Sequence, residues 1–411
     1  MRHFRCHAWF DGERLRDDPV VITVDHGTIV ALGSASVPDD GVIDAGFAMP
    51  GLVEAHAHLF LDGDELDAGR RAAHLERMPA ELVAMGVSNL DRLLQAGITL
   101  VRDAGDRHGV NLAVRAESGR RLAHGIAAPR VRAAGPAIRK RGRYGSFMAV
   151  DMRDIGDAAK TVADLPVGVD DCKLLATGVI DFAAGAVKGA PQFTDEELAL
   201  LVEAATARGL PVLAHCSGEE GLRRVVNAGV GSVEHGFFMP ADLLPELARR
   251  GTCWVGTWAP VAFMRDHPDI AGLDAAAVAG LTRILDHHLA MTALAHRLGV
   301  RLVAGSDAGS WGVPFGAGLH RELAFLAAAG LPLAAILHAA TLAPRRAWGL
   351  PSGRIAVGAP ADLVFYGPDT AISLAALTQP DLVMVAGVLW RRPRSGLVPG
   401  NALGASAAVP G

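Results

Sequence analysis

The feature that most constrains this chain is a series of eight short apolar segments, each followed by a helix-like stretch, from residue 50 onward. They fall at residues 52–58, 99–104, 130–134, 172–176, 212–215, 232–235, 253–257 and 302–306. Strands buried on both faces read as near-continuous apolar runs, and their alternation with helices marks a parallel sheet built from βα units. Eight such units predict an α/β fold of the (β/α)8 TIM-barrel type. Thr194 opens one intervening helix in capping-box style, with Glu197 three residues on, and Gly209 closes it. The spacing of Leu and Ala predicts another helix over residues 269–298.

The two ends of the chain read differently. Residues 8–49 alternate as short strands, and VVITVDHGTIVALG predicts a hairpin turned at Asp25-His26-Gly27. Residues 353–393 repeat that texture in GRIAVGAPADLVFYG and DLVMVAGVLWRR. The economical arrangement pairs both ends into one small β-domain, residues 1–49 and 350–411, beside a barrel of residues 50–349. The Gly/Ala/Pro-rich tail from Ser395 reads as a loosely held end.

Composition narrows the function classes. Half of the 411 residues are hydrophobic, enough for a large core and too many for a generally disordered chain. The net charge of −5 argues against a histone-like nucleic-acid binder. The uncharged character of the stretch around Leu323 to Pro344 is interrupted by Gly330, Pro332 and His338, so it reads as two buried helical pieces rather than a membrane span. The amino-terminal sequence has no apolar segment of secretory length, which points to the cytoplasm and to no membrane partner. Cys6, Cys172, Cys216 and Cys253 are scattered, as neither a disulfide framework nor a thiolate zinc site would have them.

His56 and His58 stand at the end of the first barrel strand in PGLVEAHAHLF, where a period of two places both imidazoles on one face. His215 ends the fifth strand in PVLAHCSG, His235 ends the sixth in SVEHG, and Asp307 follows the eighth in LVAGSDAG. The carboxyl ends of barrel strands are where active sites assemble, and imidazole with carboxylate is a metal-ligand set.

Lys173 lies on the fourth strand, sharing a face with Asp171 and Leu175 while Cys172 and Leu174 take the other. An ammonium pointing into the barrel is expensive unless paired or chemically altered, and it would repel the metals that the histidines are set to hold. Carbamylation by CO2 makes it an anionic carboxylate able to bridge two cations. Arginine cannot react in that way, and Lys140, Lys160, Lys173 and Lys188 are the only lysines among 39 basic residues.

These residues, with IDAGFAMPGLVEAHAH, KLLATG, SVEHG, GSDAG, HRELAFLAAAGLPLAAILHAAT and GRIAVGAPADLVFYG, resemble the amidohydrolase superfamily over nearly the whole chain. Among its branches the imidazolonepropionase-like and metal-dependent prolidase-like proteins are the most similar. The resemblance implies a metal-dependent hydrolase with a barrel and a β-sandwich formed by both chain ends. It also implies that His56 and His58 bind a buried metal, that His215 and His235 bind a more exposed one, and that carbamylated Lys173 bridges them. Asp307 would ligate the buried metal and act as general base and acid toward a metal-bridging hydroxide. Zinc is the expected metal for such ligands, with Mn, Fe or Co as alternatives. A homo-oligomer is a further family-based expectation.

The expected reaction is cleavage of an amide-type C–N bond in a small molecule: a dipeptide, an N-acyl amino acid or a cyclic amide. Alternatives are a mononuclear deaminase or imidazolonepropionase-type ring hydrolase, an ester or lactone hydrolase, and a catalytically silent scaffold. Mononuclear relatives pair the strand-five histidine with a Glu three positions on, whereas Gly218 stands there in this chain. For substrate contacts the sequence offers Arg139, Arg143 and Tyr144 in a basic run after the third strand, Trp258 past the seventh and His320 after the eighth. Ser217 and Tyr144-Gly145 depart from the residues of dipeptide-cleaving relatives. His287, His288 and His296 lie along a long helix and read as packing or solvated residues.

Overall fold

The computed structural model describes residues 1–33, 41–181, 184–351 and 353–393; the Ser395 tail lies outside them. Eight parallel strands form where the apolar runs predicted them: Leu52–Ala57, Ile98–Asp103, Arg130–Ala133, Cys172–Leu175, Val212–Cys216, Ser232–His235, Cys253–Val255 and Arg301–Val303. The first three pair as one sheet and the last five belong to another, in the manner of a TIM-barrel-like α/β fold. Between the first and eighth segments, Ala55 N donates to Ala304 O (3.1 Å), Asp307 N to His56 O (2.8 Å) and His58 N to Ala308 O (2.8 Å). Between the third and fourth, Asp170 N donates to Ala133 O (2.8 Å).

Local chemistry sets the helices. Thr194 Oγ1 accepts from Glu197 N (3.2 Å) while Glu197 Oε2 accepts from Thr194 N (3.1 Å), so the predicted capping box opens the helix Asp195–Ala207. The helix expected over 269–298 is divided. A single turn, Pro268–Ala271, ends at Gly272, and Asp274 then caps a separate helix, Ala275–Arg297, by accepting from Ala277 N (2.8 Å). Among the described residues no helix is long and apolar enough to cross a membrane.

Both chain ends contribute to a single eight-stranded sheet. Arg2–Phe10 pairs in parallel with Val42–Pro50, which pairs antiparallel with Leu363–Tyr366. The predicted hairpin forms between Val20–Asp25 and Thr28–Gly33, and its two turn residues, His26 and Gly27, both have positive φ. Phe4 stacks on Phe365 at 4.3 Å, joining segments from opposite ends of the sequence in one apolar cluster.

The basic run after the third strand is more ordered than a loop. Arg139 and Lys140 lie on the strand Ala137–Lys140, which pairs in parallel with Ala149–Met152.

Candidate metal centre

The first strand, LVEAHA, is buried at every position, although it carries Glu54 and His56. Buried polar groups are tolerated when their hydrogen bonds are made. Glu54 accepts from His56 N (3.0 Å), Ser306 N (2.9 Å) and Ser306 Oγ (2.6 Å), tying the first strand to the eighth. Gly305 makes this approach feasible, since a Cβ there would fall 2.8 Å from His56 N.

His56 Nδ1 meets Glu234 Oε2 at 2.5 Å, and Glu234 also accepts from Arg102 Nη2 at 2.7 Å. With the Nδ1 proton engaged by the carboxylate, Nε2 carries the lone pair. That Nε2 is buried without a hydrogen-bond partner among the described residues. His58 is oriented similarly, with Nδ1 bonded to Gly105 O at 3.0 Å and Nε2 3.5 Å from Asp307 Oδ1. Asp307 Oδ1 lies 3.7 Å from His56 Nε2. His56, His58 and Asp307 thus present ligand atoms within 4.8 Å of one another. An imidazole–carboxylate set with an orphaned, buried imidazole nitrogen fits a divalent cation.

His215 and His235 extend the cluster. His215 Nδ1 is 2.7 Å from His235 Nε2, while His235 Nδ1 meets Thr257 Oγ1 at 2.7 Å. Ring centroids step from His58 to His56 (5.5 Å), to His235 (5.1 Å) and to His215 (4.5 Å), a continuous chain of four imidazoles. Burial drives His58 and His215 down to about 3, and His56 and His235 well below their ordinary value, so all four are in the neutral, metal-binding form. His235, Thr257 and Asp307, at the carboxyl ends of the last three strands, have φ of 67°, 48° and 60°. Such backbone is strained for non-glycine residues and is characteristic of functional sites.

Lys173 is 1 % exposed, and among the described residues no carboxylate lies within ion-pair distance of it. Burial lowers its ammonium to about 8 and raises the Asp307 carboxyl to about 7.

Glu54, Glu234, Arg102 and Thr257 were not singled out from the sequence. A carboxylate within an otherwise apolar strand, as in LVEAHA and SVEH, was the available signal. Asp103 was likewise missed: it accepts from Leu59 N (2.7 Å), Gly105 N (2.9 Å) and Asn111 Nδ2 (3.1 Å), fixing the loop after His58.

A cavity of about 160 Å3 opens onto Tyr144, His215, His235 and Asp307, with Val261 and Met264 on its apolar wall. Tyr144 is therefore at the site, 5.5 Å from the His215 ring. The other proposed substrate contacts are not brought to this cavity. Arg139 Nε pairs with Asp151 Oδ1 at 2.7 Å, and Arg143 donates to Ala190 O. Trp258 is 3 % exposed and packs on His288 (5.0 Å) and Phe325 (6.0 Å). His320 Nε2 bonds Ala96 O (3.1 Å), which precedes the amino end of the second strand and not the ligand-bearing ends. His288 is a packing residue, bonded to Gly256 O at 3.1 Å and stacked on Phe237.

Residues 47–389 match the model of the amidohydrolase family. An uncharacterised protein of Mycobacterium tuberculosis is 29% identical over 351 residues, covering 85% of this chain and 86% of its own. Ochratoxinase of Aspergillus niger is 25% identical over 333 residues, covering 72% of this chain and 66% of its own. Among solved structures, a Bifidobacterium longum protein described as a prolidase superposes with a TM-score of 0.78 at 25% identity, over 95% of each chain. With the family match running from the end-domain strands through every residue of the histidine cluster, the chain belongs to the amidohydrolase family, hydrolases that act on carbon–nitrogen bonds.

Proposed function

We propose that this protein is a binuclear, zinc-type hydrolase of an amide C–N bond in a small molecule. The observation that carries the reading is the orphaned Nε2 of His56, aimed with His58 at Asp307 beside the His215–His235 pair. His56, His58 and Asp307 would hold one cation, and His215 and His235 a second. Lys173, buried with no ion pair among the described residues, would supply a further anionic ligand as its carbamate. Bound divalent metal supplies Lewis acidity at the scissile carbonyl and acidifies water. Asp307 takes one proton from the attacking water; the water oxygen bonds to the carbonyl carbon, the C–N bond breaks, and Asp307 returns the proton to the leaving nitrogen. Tyr144 and the apolar wall at Val261 and Met264 exclude bulk water from one side of the site. The reading takes the architecture to be a closed (β/α)8 barrel beside a β-domain of both chain ends, supported by the bonds of Ala55, His56 and His58 to the eighth segment and by the single sheet that the chain ends share.

The names of the similar proteins, prolidase and ochratoxinase, favour a dipeptide or an N-acyl amino acid as substrate. The test is elemental analysis of protein grown with zinc and bicarbonate and purified without chelator, followed by a panel of N-acyl amino acids, dipeptides, cyclic amides and matched esters. About two metals per chain with chelator-sensitive amide turnover is the expected result. About one metal would move the reading toward a mononuclear ring hydrolase or deaminase, and turnover of esters alone would overturn the amide assignment.

A further inference from the structure

The motif HRELAFLAAAG holds a carboxyl, Glu322, that the proposed chemistry does not use. Its helix, Ala317–Ala328, buries Gly318, Leu319, Glu322, Leu323 and Leu326, and Glu322 is the one charged side chain among these five. Gly318 lets the helix lie close to the eighth strand, since a Cβ there would fall 2.9 Å from Ser306 Oγ. Glu322, one turn on along the same face, reaches the segment that leaves the seventh strand, and its Oε1 accepts from Ala259 N at 2.7 Å. It is 1 % exposed, and its Oε2 has no hydrogen-bond partner among the described residues, so an apolar side chain would be buried there at less cost.

What the carboxyl holds is a strained turn. Gly256, Thr257 and Trp258 connect the strand Cys253–Val255 to the helix Ala259–Asp266, and Thr257 has a φ of 48°. A β-branched residue at positive φ persists only where its surroundings impose it. His288 Nε2 bonds Gly256 O at 3.1 Å before the turn, and the Trp258 ring folds back so closely that a Cβ on Gly256 would fall 2.5 Å from it. After the turn, Glu322 satisfies the first amide of a helix whose own N-cap residue, Trp258, makes no side-chain capping bond. The turn delivers one hydroxyl: Thr257 Oγ1 lies 2.7 Å from His235 Nδ1, while His235 Nε2 faces His215 Nδ1 at 2.7 Å. A buried acid with an unpaired oxygen beside strained backbone is poor for stability and is explained by what the turn positions.

We propose that Glu322 is a positioning residue of the metal centre: by fixing Ala259 it holds the Thr257 turn, and through Thr257 it holds the ring of His235 with Nε2 toward His215. The inference rests on the reading of His235 as a metal ligand for its purpose, and on the Glu322–Ala259–Thr257 geometry for its route.

The experiment compares wild type, E322M, E322Q, T257V and the double variant of E322M with T257V. In metal-free protein carrying isotope-labelled histidine, NMR reads the ring-nitrogen shifts of His235, assigned by their loss in H235N. E322M should move them toward the T257V values, whereas E322Q, which keeps an acceptor oxygen at the same reach, should stay at wild type. In cobalt-loaded protein, competition with a chelator gives the affinity for the ion that H235N loses. T257V should weaken it by about 10-fold to 100-fold, the range for partners of a metal-bound histidine. E322M should show part of that loss and the double variant no more than T257V alone, because both changes act on one ring. E322D, too short to reach Ala259, takes the place of E322M if that variant does not fold. Wild-type His235 shifts in E322M, or losses that add in the double variant, overturn the positioning role. The expected shifts in a protein that binds fewer than two cobalt ions leave that role standing and overturn the second metal.

Discussion

His56 and Glu234 are 178 residues apart in the chain and 2.5 Å apart in the fold. Their contact fixes which imidazole nitrogen faces Asp307, and Arg102, 2.7 Å from the other Glu234 oxygen, holds the carboxylate in place as a buried ion-pair partner. Metal-site partners of this kind typically contribute 10–100-fold in affinity. Glu234→Gln preserves shape and removes charge, so metal affinity should fall by about 10–100-fold. Competition against a chelator of known strength reads this directly, and wild-type affinity in the variant would show that His56 needs no such partner.

Lys173→Met removes the nitrogen that CO2 must modify. Such a variant should hold at most one metal per chain, whereas Lys173→Glu, which places a carboxylate in the same strand position, should recover part of the second. Metal content measured side by side for the three proteins is the check; two metals in the methionine variant would refute a bridging role.

Asp307→Asn leaves a side chain of the same size that cannot take a proton. General acid–base groups contribute about 10²–10⁴-fold. The expected result is a kcat loss in that range with a smaller change in KM, determined on the best amide from the substrate panel. A loss confined to KM would assign Asp307 to binding only.

Glu322 gives a stability test outside the metal cluster. Burial raises its carboxyl well above the ordinary value of 4.5, and Oε1 accepts from Ala259 N at 2.7 Å while Oε2 has no hydrogen-bond partner among the described residues. The folded protein therefore holds it neutral, and the unfolded chain ionises it as pH rises through its ordinary value, which weakens folding at higher pH. Glu322→Gln should melt higher than wild type at pH 7–8, by about 1 °C for each kcal/mol recovered in a chain of this length, and equally near pH 4. A thermal melt at both pH values tests the sign; a variant less stable at pH 8 would mean the carboxylate is ionised in the fold.

The strands that carry the histidines were legible because backbone geometry writes its own period into a sequence. Alternation in VEAHAH places His56 and His58 on one face with Glu54, and SVEHG and GSDAG end apolar runs where barrel sites assemble. The divided helix at Gly272 was less legible, because Leu and Ala continue the helical spacing on both sides of the break and only the Gly272 and Asp274 backbone decides it.

The partnering of the arginines shows the boundary most clearly. Arg139, Arg143 and Arg71 are chemically identical in the sequence, and the run at 139–143 is the denser in charge. Folding pairs Arg139 with Asp151 and turns Arg143 onto Ala190 O, while it seats Arg71 on the carbonyls of Asp62, Glu65 and Gly309.

The sequence by itself determined the parallel α/β architecture, the β-rich ends and the residues that gather at the strand ends, because periodicity and turn chemistry act over a few residues. Only the tertiary structure decided that Glu234 orients His56, that Thr257 holds His235, and which arginines find a carboxylate partner. Those outcomes depend on which groups burial brings within hydrogen-bond reach, and partners drawn from distant strands leave no periodic trace in the chain.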